Sequence, residues 1–196
     1  VKDKTINDTL SSFKMIKELQ KKYGESICNR YIISNCSAPE DIASVFLLAK
    51  KTAFKKSISI DFIPLFESVR DLENASSILK MLFSEKSYRI HLKQRENTQT
   101  VMLGFSDGTK DGGYLTANWK ILNAKETLTK VARKHKVKVK FFDGRGGPPA
   151  RGGGNTHQFY SSLGSLVESD DIQVTIQGQT ISSNFGTLES SQYNLE

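Results

Sequence analysis

Short β-branched or apolar runs alternate with longer helical patterns along this chain. The interval is roughly 30–40 residues, the spacing that parallel βαβ units need. The strand-like runs are Tyr31 to Ser34, Ser57 to Phe66, Thr98 to Phe105, Val137 to Phe142 and Asp171 to Ile176. Helical spacing covers Asn7 to Tyr23, a pattern from Ser37 through Leu48, Asn74 to Phe83, and a long stretch from about Tyr114 to Lys134. A short helical segment lies around Phe159, and in the long helix Trp119, Leu122, Ala124, Leu128 and Val131 are expected to face inward. Phe62 to Phe66 is wholly apolar, as in a strand covered on both faces. The reading is therefore α/β, with residues 1–27 as an N-terminal helix and residues 187–196 as a polar tail. Five strands are too few to close an eight-stranded barrel.

Polar clusters follow the strands, where barrels and open α/β sheets place their chemistry. The most informative runs from Asp143 to Gly154, with Arg145 and Arg151 among six glycines and two prolines. Glycine and proline shape the backbone, and each guanidinium can grip a phosphate or carboxylate through paired hydrogen bonds. An ordered anion loop, an RNA-binding Arg-Gly-Gly segment and a plain turn all fit this composition.

The second cluster is Ser106-Asp107-Gly108-Thr109-Lys110-Asp111. Asp107 or Asp111 can cap the following helix, or Asp107 can bind a hard metal ion while Lys110 binds phosphate. The spacing does not match a Walker P-loop. Glu67, directly after Pro64-Leu65-Phe66, is a helix cap, a lysine partner or, paired with Asp107, half of a two-carboxylate magnesium or manganese site. His91 and His135 lie among basic residues and are expected on the surface, whereas His157 is close enough to the arginines to touch a ligand there.

The net charge of +7, from 28 basic and 21 acidic residues, favours anionic partners without choosing among them. Lysine clusters from Lys14 to Lys22 and from Lys130 to Lys140 read as solvated faces. Cys28 and Cys36 have neither zinc-ligand spacing nor the number for a disulfide framework, which fits a reducing compartment. No run approaches the roughly 20 apolar residues of a membrane span. The sequence has no secretory signal pattern and does not begin with methionine, as expected of a piece of a longer protein.

Together the motifs resemble the phosphoenolpyruvate carboxylase family. The resemblance rests on Pro64-Leu-Phe-Glu67, Val101 to Gly113, and Phe142-Asp-Gly-Arg-Gly-Gly147 with Arg151-Gly-Gly-Gly154. Tyr31 to Ser34, Ala117-Asn-Trp119 and Val174 to Gly178 agree as flanking text, so it runs from about Arg30 to Gly186. It implies part of a (β/α)8 TIM-like barrel, about five βα units and incomplete, within a longer enzyme. The implied reaction joins bicarbonate to phosphoenolpyruvate with Mg2+ or Mn2+, in a cytoplasmic homotetramer with no nucleic-acid or membrane partner. By motif, Glu67 and Asp107 correspond to metal-binding carboxylates. Lys110, Arg145 and Arg151 correspond to substrate-binding and catalytic basic residues.

Two departures stand out. The usual family motif carries histidine at the position of Asp143, and Pro148-Pro-Ala150 replaces a segment of small residues. Two roles are open for Asp143: a catalytic part in handling carboxyphosphate, or orienting Arg145. Further family residues lie outside this sequence, so the isolated chain is expected to be inactive. Two other readings compete: a nucleic-acid-binding module built on Arg-Gly-Gly, and another barrel enzyme acting on a phosphorylated metabolite.

Overall fold

The computed structural model describes residues 4–55, 57–104, 106–144, 155–176 and 178–196, without the side chains of residues 4, 5, 106–108, 111, 179 and 180. Five parallel strands form one sheet in sequential order: β1 (Arg30–Ile33), β2 (Asp61–Phe66), β3 (Thr98–Leu103), β4 (Lys138–Asp143) and β5 (Ile172–Val174). Helix α1 (Lys4–Tyr23) precedes the sheet. The crossovers are α2 (Pro39–Thr52), the pair α3 (Val69–Ser84) and α4 (Lys86–Gln94), then α5 (Ser106–Lys134) and α6 (Thr156–Ser161). Helices α7 (Gly178–Phe185) and α8 (Leu188–Leu195) follow β5.

Strand side chains alternate between the two faces of the sheet. Phe62, Phe66, Val101, Leu103, Val139 and Phe141 join the core formed with Ile78, Leu79, Leu82 and Phe83 of α3 and Leu128 and Ala132 of α5. A large side chain fully buried in this way contributes about 1.5–3 kcal/mol. The buried Gln99 stays satisfied: its amide donates to the Phe62 carbonyl at 2.8 Å and its oxygen accepts from the Tyr88 hydroxyl at 2.7 Å.

Several elements differ from the sequence expectation. Helix α3 starts before Asn74 because Ser68 and Asp71 form a capping box, each side chain accepting from the other's backbone N–H at 3.1 Å. Helix α4 was not expected at all, and it overturns the surface assignment of His91. Its turn spacing puts Tyr88, His91 and Leu92 on one inward face, and His91 is only 3% exposed beside Phe46, Phe62 and Tyr88.

Trp119 is likewise not core but 60% exposed. The buried stripe of α5 runs through Ala117, Ile121, Ala124, Leu128 and Ala132, and Trp119 lies about 200° around the helix from Ala117. The polar tail is helical as α8, capped by Thr187, whose hydroxyl accepts from the Ser190 N–H at 3.2 Å. Phe105, the expected end of the third strand, is outside the described residues.

Candidate active site

The C-terminal ends of β2, β3 and β4 lie side by side, with Phe66 in register with Leu103 and Leu103 with Asp143. Each candidate segment leaves the sheet at one of these ends. Glu67 directly follows β2, Asp107 and Lys110 belong to the first turns of α5 after β3, and Arg145 and Arg151 follow β4. The topology thus brings together the strand ends from which these segments start, at Phe66, Leu103 and Asp143. Arg145, Arg151 and the side chain of Asp107 lie outside the described residues.

Glu67 is half-buried and has no hydrogen-bond or ion-pair partner among the described residues. The helix cap at this corner is Ser68 instead. Gly104 holds the neighbouring strand end tightly against Glu67: its N–H donates to the Phe66 carbonyl at 2.8 Å. A methyl group on Gly104 would sit 3.2 Å from the Glu67 Cα and 3.3 Å from its Cγ. Hard divalent ions take carboxylate oxygens, and an unpartnered, half-buried carboxylate at a strand end fits one. Among the described residues no three His, Cys, Asp or Glu side chains gather at one point.

The stretch between β3 and the helix expected from about Tyr114 is itself helical. Helix α5 begins at Ser106 and is broken only at Gly113, whose φ of 78° and ψ of 170° are non-helical. Glycine accepts that positive φ without steric cost. The break divides a short N-terminal segment, which carries Lys110, from the long amphipathic helix expected from Tyr114. Lys110 itself is exposed.

Asp143 is the surprise of the site. It is 1% exposed, and its Oδ2 accepts from Lys125 Nζ at 2.8 Å and from the Tyr160 hydroxyl at 2.7 Å. Lys125 is also buried, its ammonium 5.5 Å from the Phe141 ring centre and 5.4 Å from that of Tyr160. Burial first, and then the adjacent Asp143 charge, push the Tyr160 phenol above its ordinary range. It therefore stays a donor at neutral pH. The Asp143 oxygen that carries these bonds is not available to a metal, in contrast with Glu67. Sequence reasoning missed both partners. Lys125 left a signal, for it stands in an otherwise apolar stripe between Ile121 and Leu128.

His157 is exposed at the start of α6, where its backbone N–H donates to the Asn155 side chain at 3.0 Å. His135 is half-buried, with its ring centre 5.8 Å from that of Phe83.

The sequence model of the phosphoenolpyruvate carboxylase family matches residues 1–196, the full chain. The chain belongs to the phosphoenolpyruvate carboxylase family. The match extends past Arg30 and Gly186 to both ends, so α1 and α8 are part of it. Among relatives named phosphoenolpyruvate carboxylase, that of Gloeobacter violaceus is 38% identical over 193 residues, covering 96% of this chain and 21% of its own length. That of Synechococcus sp. is 38% identical over 194 residues, covering 96% of this chain and 18% of its own. The Nitrosomonas europaea protein is 38% identical over 192 residues, covering 95% and 21%. The chain thus spans about a fifth of the length of these curated relatives. Family membership does not favour the RNA-binding module or a different barrel enzyme.

Proposed function

We propose that this chain supplies the metal- and phosphate-binding side of a phosphoenolpyruvate carboxylase. Family membership supports the substrate pair, phosphoenolpyruvate and bicarbonate. The observation that carries the site is Glu67, a half-buried carboxylate without a described partner, pressed against Gly104 where β2 and β3 end together.

On this reading the sheet is a segment of a (β/α)8 barrel. Right-handed crossovers between strands in sequential order put the helices on a single face, whereas doubly wound sheets reverse their order. Ile32, Ile63, Leu65 and Met102 alternate with the helix-facing residues and belong to the face a closed barrel encloses. The parent works as a cytoplasmic homotetramer, without nucleic-acid or membrane partners. No helix among the described residues is long and apolar enough to cross a membrane.

In the reaction, a bicarbonate oxygen attacks the phosphorus of phosphoenolpyruvate and the bond from phosphorus to the enol oxygen breaks. Carboxyphosphate and the pyruvate enolate result. Carboxyphosphate then releases phosphate and carbon dioxide, and the enolate carbon adds to the carbon dioxide to give oxaloacetate. Arg145, Arg151 and Lys110 hold the phosphate charge as it passes from enol oxygen to bicarbonate. Glu67 and Asp107 would hold the divalent ion, and magnesium or manganese bound there would supply Lewis-acid charge to the reaction.

Metal titration of Glu67→Gln in the full-length protein tests the assignment. The divalent-ion concentration for half-maximal rate is expected to rise about 10- to 100-fold or more, the loss typical even of residues that only support a metal ligand. An unchanged metal requirement would remove Glu67 from the site.

A further inference from the structure

We propose that Lys125, Asp143 and Tyr160 form a positioning unit for the arginine-bearing segment 145–154, and that Asp143 moves no proton in the reaction. The inference rests on the carboxylase reading for its substrate but on the fold for its geometry.

Asp143 is the last residue of β4, two before Arg145, and Tyr160 lies in α6, the first described helix after the arginines. Described residues on either side of the segment, Asp143 before it and Tyr160 after it, therefore meet at one carboxylate oxygen. Lys125 reaches it from α5 at 2.8 Å and Tyr160 from α6 at 2.7 Å. The backbone around Asp143 is fixed as well. Its carbonyl accepts from the Thr175 N–H at 3.1 Å, and it is in register with Leu103 of β3 and Val174 of β5. Gly144 then passes so close to β3 that a methyl group there would meet the Leu103 carbonyl at 3.1 Å.

Burial decides what Asp143 can do. Its side chain is 1% exposed and its charge is matched by a lysine 3% exposed, so the pair faces the helix layer. A proton donor for substrate must come within hydrogen-bond reach of it, directly or through one water. Asp143 spends Oδ2 on two internal donors, while its Oδ1 is buried without a partner among the described residues. The bonds to Oδ2 tie β4, α5 and α6 together at one point. Arg145 and Arg151 follow Asp143 by two and eight residues.

Tyr160→Phe in the full-length protein separates positioning from bare stability, because the ring stays and only one hydrogen bond goes. Tryptic cleavage after Arg145 and Arg151, read by mass spectrometry with and without inorganic phosphate, is expected to accelerate in the variant. Protection by phosphate is expected to weaken. In kinetics, kcat is expected to fall about tenfold with a smaller change in KM, since misplaced groups lose transition-state contacts first. Asp143→Asn is expected to lower kcat/KM by a constant factor across the pH range, and Asp143→Glu to recover less than the wild type.

Unchanged cleavage and kinetics in a folded Tyr160→Phe protein would overturn the proposal. So would the loss of one ionisation from the pH profile of Asp143→Asn, which would mark it as an acid or base. If the unmodified protein makes no oxaloacetate, the carboxylase reading fails, while the substrate-free cleavage experiment still decides the positioning unit.

Discussion

The Lys125 ammonium lies 2.8 Å from the Asp143 carboxylate, and both side chains are at most 3% exposed. Removing one partner of a buried pair leaves the other charge uncompensated. Lys125→Met is therefore expected to destabilise the fold by about 3–5 kcal/mol. The double change Lys125→Met with Asp143→Leu is expected to recover most of that loss, because replacing both charges by apolar groups is often neutral. Chemical denaturation of the three proteins checks this, and additive losses would contradict it.

A second prediction concerns His91. Burial holds its imidazole down to about 4 against an ordinary 6.5, with Asp61 opposing the shift and Arg95 reinforcing it. As pH falls through 6.5 the unfolded chain takes up a proton that the folded chain refuses until about 4. Stability is complete above that window and declines by about 3 kcal/mol on the way down through it. His91→Phe keeps an aromatic ring in the cage of Phe46, Phe62 and Tyr88 and is expected to flatten that acid-side slope. Unfolding free energies measured across the window decide it; an identical slope in the variant would assign the acid sensitivity elsewhere.

Gly104 makes a third case. Its added methyl group would force Glu67 to give by a few tenths of an ångström. Overpacking of this kind costs about 1–3 kcal/mol. Gly104→Ala is expected to lose stability at the lower end of that range and to weaken manganese binding, followed by the paramagnetic signal of free manganese. Full manganese affinity in a folded Gly104→Ala protein would mean that the close approach does not set the Glu67 carboxylate.

The arginines carry the largest expected effect. Arg145→Ala and Arg151→Ala are each expected to lower turnover by about 10²- to 10³-fold, the usual loss for one preorganised group facing developing charge. Lysine at either position is expected to restore only part of it, since a point charge cannot reproduce the paired hydrogen bonds of guanidinium. Turnover near the wild-type rate in either alanine variant would count against phosphate binding by that residue.

The sheet was readable because β-branched and apolar runs ending in polar clusters have few other uses. The place of Glu67 was readable for the same reason, as a polar residue directly after an apolar strand, whereas Arg145 and Arg151 lie outside the described residues. Helix α4 was hidden because Lys86–Gln94 is mostly polar and buries only Tyr88, His91 and Leu92. Trp119 misled because a large aromatic in an amphipathic helix invites a core assignment, whereas small residues, Ala117, Ala124 and Ala132, fill much of the inward stripe. The role of Asp143 was beyond any local pattern. Its partners lie 18 and 17 residues away on different helices, and only tertiary packing joins them. The Ser68–Asp71 box, in contrast, was plain in the sequence and would have marked the start of α3.

The most direct test of the carboxylase reading is incorporation of labelled bicarbonate by the full-length protein with phosphoenolpyruvate and magnesium or manganese. The account predicts label in oxaloacetate, an equal amount of phosphate released, and loss of both when the metal is chelated. A folded protein that fixes no label under these conditions would contradict it.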